Sequence, residues 1–399
     1  MKQIYPNSIT GKGAVAGGSV LDHRFGHSDP YTLGVEEEYM LLDGETFDLV
    51  QHIDTVLRAI TGHELEPRIN AELMQSVLEI ATPVCRNAGD VQRELQKLRG
   101  YVTGIARQKG LRVGSAGTHP FSLFERQRIT ARDRYRNLVD QLQYIARREL
   151  IFGMHVHVAV DDPEKAIQVV NGLLPQLGPL LALSSSSPFW RGEPTGLATS
   201  RQMVFAAFPR SGPPPRFRDY ADYAEVVGQL ERTGCIADYT HIWWDIRLHP
   251  RLGTIEIRIC DAVTHVEDAV ALAAYCQALV KLLSEQHDRG EQIPSFHRIL
   301  TTENKWLAAR YGLEAPVMDL ATGARNRMPV AQLIRRTLKE IEPHARELGS
   351  ERELEGIGEI LGRGNGSDRQ LRVFNTNRDI VEVVEEIANA TEAVPAAAA

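Results

Sequence analysis

Cysteine is scarce: Cys85, Cys235, Cys260 and Cys276 stand far apart in 399 residues, with no C-x-x-C pair among them. That spacing argues against a disulfide-built scaffold and a zinc ribbon, and predicts reduced thiols in a cytoplasmic protein. No run of 18 consecutive apolar residues occurs, and the first thirty residues carry Lys2, Lys12, Asp22, Arg24 and Asp29 where a signal peptide would need an apolar core. Neither export nor a membrane span is expected. Long blocks of like charge are missing as well: 52 acidic and 45 basic side chains are dispersed to a net −7, which speaks against a nucleic-acid-binding surface. A Walker A loop is also absent. GKGAVAGG (11–18) has a lysine but no G-K-[ST], and GRGNGSD (362–368) lacks a flanking strand and helix, so both read as surface loops.

The length allows a sizeable core in one large domain or in two or three. No linker or internal repeat divides the chain, so residues 29–390 are expected to form a single domain. The Gly-rich stretch 1–28 should be a mobile extension, and 391–399, ending in VPAAAA, a disordered tail. Helical periodicity marks 89–108, 164–183 (interrupted by Pro175 and Pro179), 266–286 and 329–349. Strand-like segments lie between them: YTLGVEEEYMLLD, SVLEIATPV, FGMHVHVAVD, YTHIWWDIRLHP and GTIEIRICDA. The β-α-β alternation is too irregular for a doubly wound parallel sheet, and α+β is the expected class.

Side chains alternate between the two faces of a strand. In LGVEEEYMLL, Glu36 and Glu38 therefore face away from Leu33, Val35, Tyr39 and Leu41, while Glu37 shares their packed side. The same parity sets His155 and His157 against Met154, Val156 and Val158, and sets Glu256 and Arg258 against Ile255, Ile257 and Ile259. It sets Asp245 and Arg247 against Ile246 and Leu248, and Glu79 against Leu78 and Ile80. Half-exposed antiparallel strands would also alternate in this way. Ordinary solvent faces, however, mix in Lys, Thr, Gln and Ser. These faces concentrate Glu, His and Arg without one Lys, as the lining of a site would.

Carboxylates with one or two imidazoles suit a hard cation, Mg²⁺ or Mn²⁺, and arginines beside them suit phosphate or carboxylate. Together they equip phosphoryl transfer from a nucleotide triphosphate. A metal-dependent hydrolase could also use H-V-H, though zinc would favour more nitrogen ligands. A metal-stabilised binding module would leave the arginines unexplained.

GVEEEYMLLD (34–43), LEIATPV (78–84), GMHVHV (153–158), the 187–214 segment beginning SPFWRGEPTG, WWDIRLHPRLGTIEIRICDA (243–262) and NKWLAARYGL (304–313) occur in a consistent order. As a set they resemble the type 2 glutamate–cysteine ligase family, the YbdK-like carboxylate–amine ligases. The resemblance spans about residues 30–390. It implies a glutamine-synthetase-like fold, in which a curved, mainly antiparallel sheet forms a funnel with helices outside. It also implies two or three Mg²⁺ ions and ATP on the concave face. The implied reaction is amide formation through an acyl phosphate, with glutamate as carboxylate and cysteine as a candidate amine. A phosphotransferase of the same fold is the alternative, and a homodimer is implied by the family alone.

Carried over by motif, Glu36, Glu38, Glu79, His155 and Glu256 are the expected metal ligands, with Arg258 at the transferring phosphoryl group. Glu72 is a further candidate ligand, although in an unbroken strand its parity opposes that of Glu79, so a bulge or loop is required. Trp190, Thr195, Ser200, Arg201 and Arg247 are expected at the amino-acid substrate, and His157 and Asp245 behind the ligands. Asn304 and Arg310 suit either nucleotide binding or helix packing. Glu37, on the packed side, requires an arginine or backbone donors as partner.

Overall fold

The computed structural model describes residues 22–393 apart from 321, 324 and 325. At its centre seven antiparallel strands form one sheet. Their order is Ile246–His249, Thr254–Ile257, Met154–Ala159, Leu33–Asp43, Val77–Ala81 and Ile69–Ala71, with Leu111–Gly114 beside the end of Leu33–Asp43. Helices outnumber strands and pack mainly on one face, so the architecture is α+β, as expected.

The register assembles the polar face. Glu38 lies opposite Glu79, Glu36 opposite His155, His157 opposite Glu256, and Glu256 opposite Arg247. Cross-strand partners share a face, so one side of the sheet carries a continuous row of acids, imidazoles and an arginine. The other side presents Leu33, Val35, Tyr39, Leu41, Met154, Val156, Val158, Ile255 and Ile257 to the main core. Helices Ala88–Gln108 and Val266–Asp288 cover it. The second of these is buried on nearly every side from Val266 to Val280, in keeping with an apolar pattern that runs around its circumference.

The 164–183 periodicity resolves into helices Pro163–Leu173 and Leu177–Ser184, joined by a 3₁₀ turn at Leu174–Gln176. Pro175, which has no amide donor, sits in that turn. Pro163–Ser184 is the one segment among the described residues apolar and long enough to cross a membrane, and it is mostly buried within the protein.

Three expectations need correction. Residues 22–28 are not a loose extension. Arg24 N donates to Pro250 O at 2.9 Å, Gly26 N to Val160 O at 3.2 Å, and Phe25 is buried in the main core. Gly253, at φ +68°, permits this: a Cβ there would meet Arg24 O at 2.3 Å. GKGAVAGG lies outside the described residues. At the other end Thr391 and Glu392 are buried within helix Ile380–Glu392. Glu392 accepts from Arg107 at 2.7 Å and Arg112 at 2.9 Å, so the tail cannot begin at 391. GRGNGSD, finally, joins two helices: Gly362 and Arg363 are exposed at the end of helix Gly356–Arg363, but Asn365, Gly366 and Ser367 are buried at the start of the next. Asn365 and Asp368 form a capping box on helix Gly366–Asn377, and Asn365 Nδ2 donates to Ala182 O at 2.8 Å.

Candidate active site

The polar face of the sheet floors a cavity of about 310 Å³. Glu36, Glu38, Glu72, Glu79, His155, His157, Arg201, Arg247, Glu256 and Arg258 all line it. Strand alternation delivers most of these, and the fold brings them from five strands, the loops between and helix Arg201–Phe205 into one concavity.

Two electrostatic regimes meet there. On the Glu256 side each acid faces a basic side chain. Arg247 grips Glu256 Oε2 through Nε at 2.9 Å and Nη2 at 2.7 Å, and Arg258 donates to Oε1. Burial pushes Glu256 up, but the two guanidinium groups outweigh it and hold the carboxyl well below the usual range. Glu36 behaves similarly. Burial opposes its ionisation, His155 and His157 beside it favour ionisation, and the net shift is strongly downward. His155 Nδ1 lies 3.0 Å from Glu36 Oε2, yet burial and then Arg258 push this imidazole down to about 4.

His157 occupies an unexpected position. Its Nδ1 is 3.0 Å from Thr254 Oγ1, whereas the buried Nε2 has no hydrogen-bond partner. That nitrogen points between Glu36 and Glu256, at 3.5 Å and 4.0 Å. Ligand atoms of Glu36, His157 and Glu256 all lie within 4.8 Å of one another, close enough for one ion. An orphaned buried imidazole nitrogen between two carboxylates fits a cation. His157 therefore sits among the candidate ligands themselves.

On the other side acids outnumber cations. Burial, then Glu72, pushes Glu38 up to about 7. Burial followed by its acidic neighbours Glu72, Glu36 and Glu38 raises Glu79 well above the ordinary carboxylate range. Burial raises Glu72 as well. Carboxylates gathered without compensation are the donor set of a hard cation. Glu72 reaches this group because 69–71 and 77–81 are two antiparallel strands, not one. Asn70 lies opposite Glu79, so even positions of one strand share a face with odd positions of the other, and Glu72 follows Asn70.

The residues expected at the amino-acid substrate separate. Arg201 lines the cavity, with Nη1 on Ile259 O at 3.2 Å, Nη2 on Arg258 O at 3.3 Å and a buried Nε that has no partner. Gly153 makes room for it, since a Cβ there would meet Arg201 Nη2 at 2.5 Å. Arg247 is committed to Glu256 and to the carbonyls of Thr240 and Ile242 through four of its five N–H groups, so it mainly positions an acid. Thr195 and Ser200 bond each other at 2.9 Å, and Thr195 also donates to Pro188 O at 3.0 Å. They brace their own loop and do not line the cavity. Trp190 stacks on Phe124, also away from it.

Asp245 was expected on the same face as Arg247. The segment breaks instead into Trp243–Trp244 and Ile246–His249, with Asp245 between them. Its carboxylate binds Lys305 Nζ at 2.7 Å and 2.8 Å. Its backbone carbonyl accepts from Arg258 N at 2.8 Å, so it supports the site through the main chain. Asn304 pairs with the backbone of Met318, and the exposed Arg310 donates to Gly196 O; neither lines the cavity.

Several lining residues carried no signal in the sequence. Glu149, Arg134, Phe205, Phe208 and Trp243 come from helices, loops and a two-residue strand outside the main sheet, where alternation says nothing. His249 shares the parity of Arg247, and its ring lies 5.6 Å from that of His157.

With this geometry in place, the chain can be compared with known proteins. The model of the family described as glutamate-cysteine ligase family 2 matches residues 32–389. A Rubrobacter xylanophilus relative, provisionally named glutamate–cysteine ligase 2-1, is 43% identical over 364 residues, covering 91% of this chain and 95% of the relative. A Sorangium cellulosum relative, provisionally named glutamate–cysteine ligase 2, is 42% identical over 358 residues, covering 90% and 95%. Among solved structures, the Francisella tularensis glutamate–cysteine ligase in complex with AMP superposes with a TM-score of 0.65 at 13% identity, over 93% of this chain and 91% of that one. At that identity the likeness concerns the fold.

Proposed function

The chain belongs to glutamate–cysteine ligase family 2 and is an ATP-dependent carboxylate–amine ligase; from that premise we propose that it activates the side-chain carboxyl of glutamate as an acyl phosphate and joins it to the amine of cysteine. The supporting observation is the orphaned Nε2 of His157 between Glu36 and Glu256, beside the uncompensated Glu38, Glu72 and Glu79. Such a constellation calls for a hard divalent cation, Mg²⁺ or Mn²⁺. Glu36, Glu38, Glu79, His155 and Glu256 would hold it, joined by Glu72 and His157. The chemistry that such a cation supplies is neutralisation of charge on the ATP phosphates.

The chain's own groups do the rest. Arg258 retains a buried, unpartnered Nε, a donor for the oxygens of the phosphoryl group as charge develops there. Arg247 keeps Glu256 ionised and oriented. Arg201, with its free Nε, suits a substrate carboxylate. The glutamate carboxylate attacks the γ-phosphorus and ADP leaves. The neutral amine then attacks the acyl carbon, the carbon–oxygen bond to phosphate breaks, and the amine's proton leaves with the phosphate.

The test is to incubate the purified full chain with Mg²⁺, ATP, glutamate and cysteine or a panel of other amines. ADP and phosphate are measured and products identified by mass. Amine-dependent phosphate release with a new amide is expected. A stable phosphorylated product would identify a phosphotransferase, and turnover without ATP a hydrolase.

A further inference from the structure

Glu149 lines the cavity from outside the sheet, yet among the described residues its carboxylate makes no hydrogen bond and no ion pair. The nearby guanidinium groups bond other acceptors, although the Nε of Arg148, Arg201 and Arg258 is unpartnered. Arg148 donates to Val204 O, Arg201 to the carbonyls of Ile259 and Arg258, and Arg258 to Glu256. Its carboxylate is half-buried, and a cationic group on a ligand beside it would supply the charge that no ion pair supplies. The surrounding wall indicates what kind. Ile151, Phe205 and Phe208 form an apolar cluster with Trp243, and all four line the same cavity. A hydrated divalent ion gains little from such rings, whereas an organic ammonium gains both burial and cation–π attraction. Glu38 and Glu72 line the same cavity as Glu149. An ammonium held there has to give up a proton, which the Glu149 carboxylate can accept, before its nitrogen attacks the acyl carbon.

We propose that Glu149 binds the ammonium group of the incoming amine substrate, in a subsite walled by Phe205, Phe208 and Trp243. This rests on the ligase reading above and adds to it the residue that recognises the nucleophile. Hydroxylamine separates the two, because it is uncharged at neutral pH and traps an acyl phosphate as a hydroxamate. In Glu149→Gln, KM for the cationic amine should rise about tenfold or more, the range for losing a hydrogen bond to a charged group. Hydroxamate formation and KM for MgATP should stay within about twofold, and Glu149→Asp should recover part of the amine affinity. Thermal unfolding of Glu149→Gln should match or exceed that of the wild type. An unchanged KM for the amine, or an equal loss with hydroxylamine, would overturn the proposal and place Glu149 among the cation ligands or in the packing. A wild-type protein that forms no hydroxamate at all would instead overturn the ligase reading, and this proposal with it.

Discussion

Arg99, on helix Ala88–Gln108, reaches through the core to Glu37 on the central strand, with Nε 3.0 Å from Glu37 Oε2 and both side chains about 1% exposed. Tyr39 donates to the same carboxylate, and further guanidinium N–H groups donate to Thr264 O at 2.7 Å and Val263 O at 3.2 Å. One ion pair thus ties the back of the sheet to its covering helix and to the loop that leads into helix Val266–Asp288.

Breaking that pair leaves a buried charge. Arg99→Met should cost about 3–5 kcal/mol of stability, while Glu37→Leu together with Arg99→Met should recover much of the loss. Urea unfolding of the single and double variants measures this, and a double variant no more stable than Arg99→Met alone would contradict it.

Glu256→Gln removes the charge that Arg247 and Arg258 both hold. Mg²⁺-dependent ATP turnover should fall at least about 100-fold. The melting temperature should fall as well, since two buried guanidinium groups lose their counter-charge. Full retained turnover would remove Glu256 from the proposed chemistry.

Cation binding should be linked to pH. Without a cation Glu38 holds its proton up to about 7, above its unfolded value. The native state therefore binds the extra proton, and the stability of the cation-free protein should fall as pH rises from the ordinary carboxylate range towards 7. A divalent cation displaces that proton. Mg²⁺ or Mn²⁺ should bind more tightly at pH 8 than at pH 6, and should raise the melting temperature by an amount equivalent to about 2.7 kcal/mol at one hundred times Kd. Calorimetry in buffers of different ionisation enthalpy counts the protons released.

Gly153→Ala should displace Arg201, because the new methyl group would fall 2.5 Å from Nη2. KM for the carboxylate substrate is expected to rise about tenfold, the range for a charge-assisted hydrogen bond, with KM for MgATP little changed. Steady-state kinetics with each substrate varied in turn distinguishes this from a general loss of fold.

Alternation within a strand is a local property, and the sequence alone therefore sorted Glu36, Glu38, Glu79, His155, His157, Glu256 and Arg258 onto a polar face and Glu37 onto the packed one. The long helices were legible for the same reason: a 3.6-residue period needs no knowledge of neighbours. What required the tertiary structure is what depends on contacts between distant segments. The hairpin joining 69–71 to 77–81 resets the parity of Glu72, and the break at Asp245 removes that residue from the face its spacing predicts. Thr195 and Ser200 turn inward to brace their loop, and Glu149 enters the cavity from outside the sheet. Nothing near Glu37 in the chain foretold Arg99, 62 positions away. Which charges compensate one another is settled by which elements pack together, and only folding brings those elements into contact.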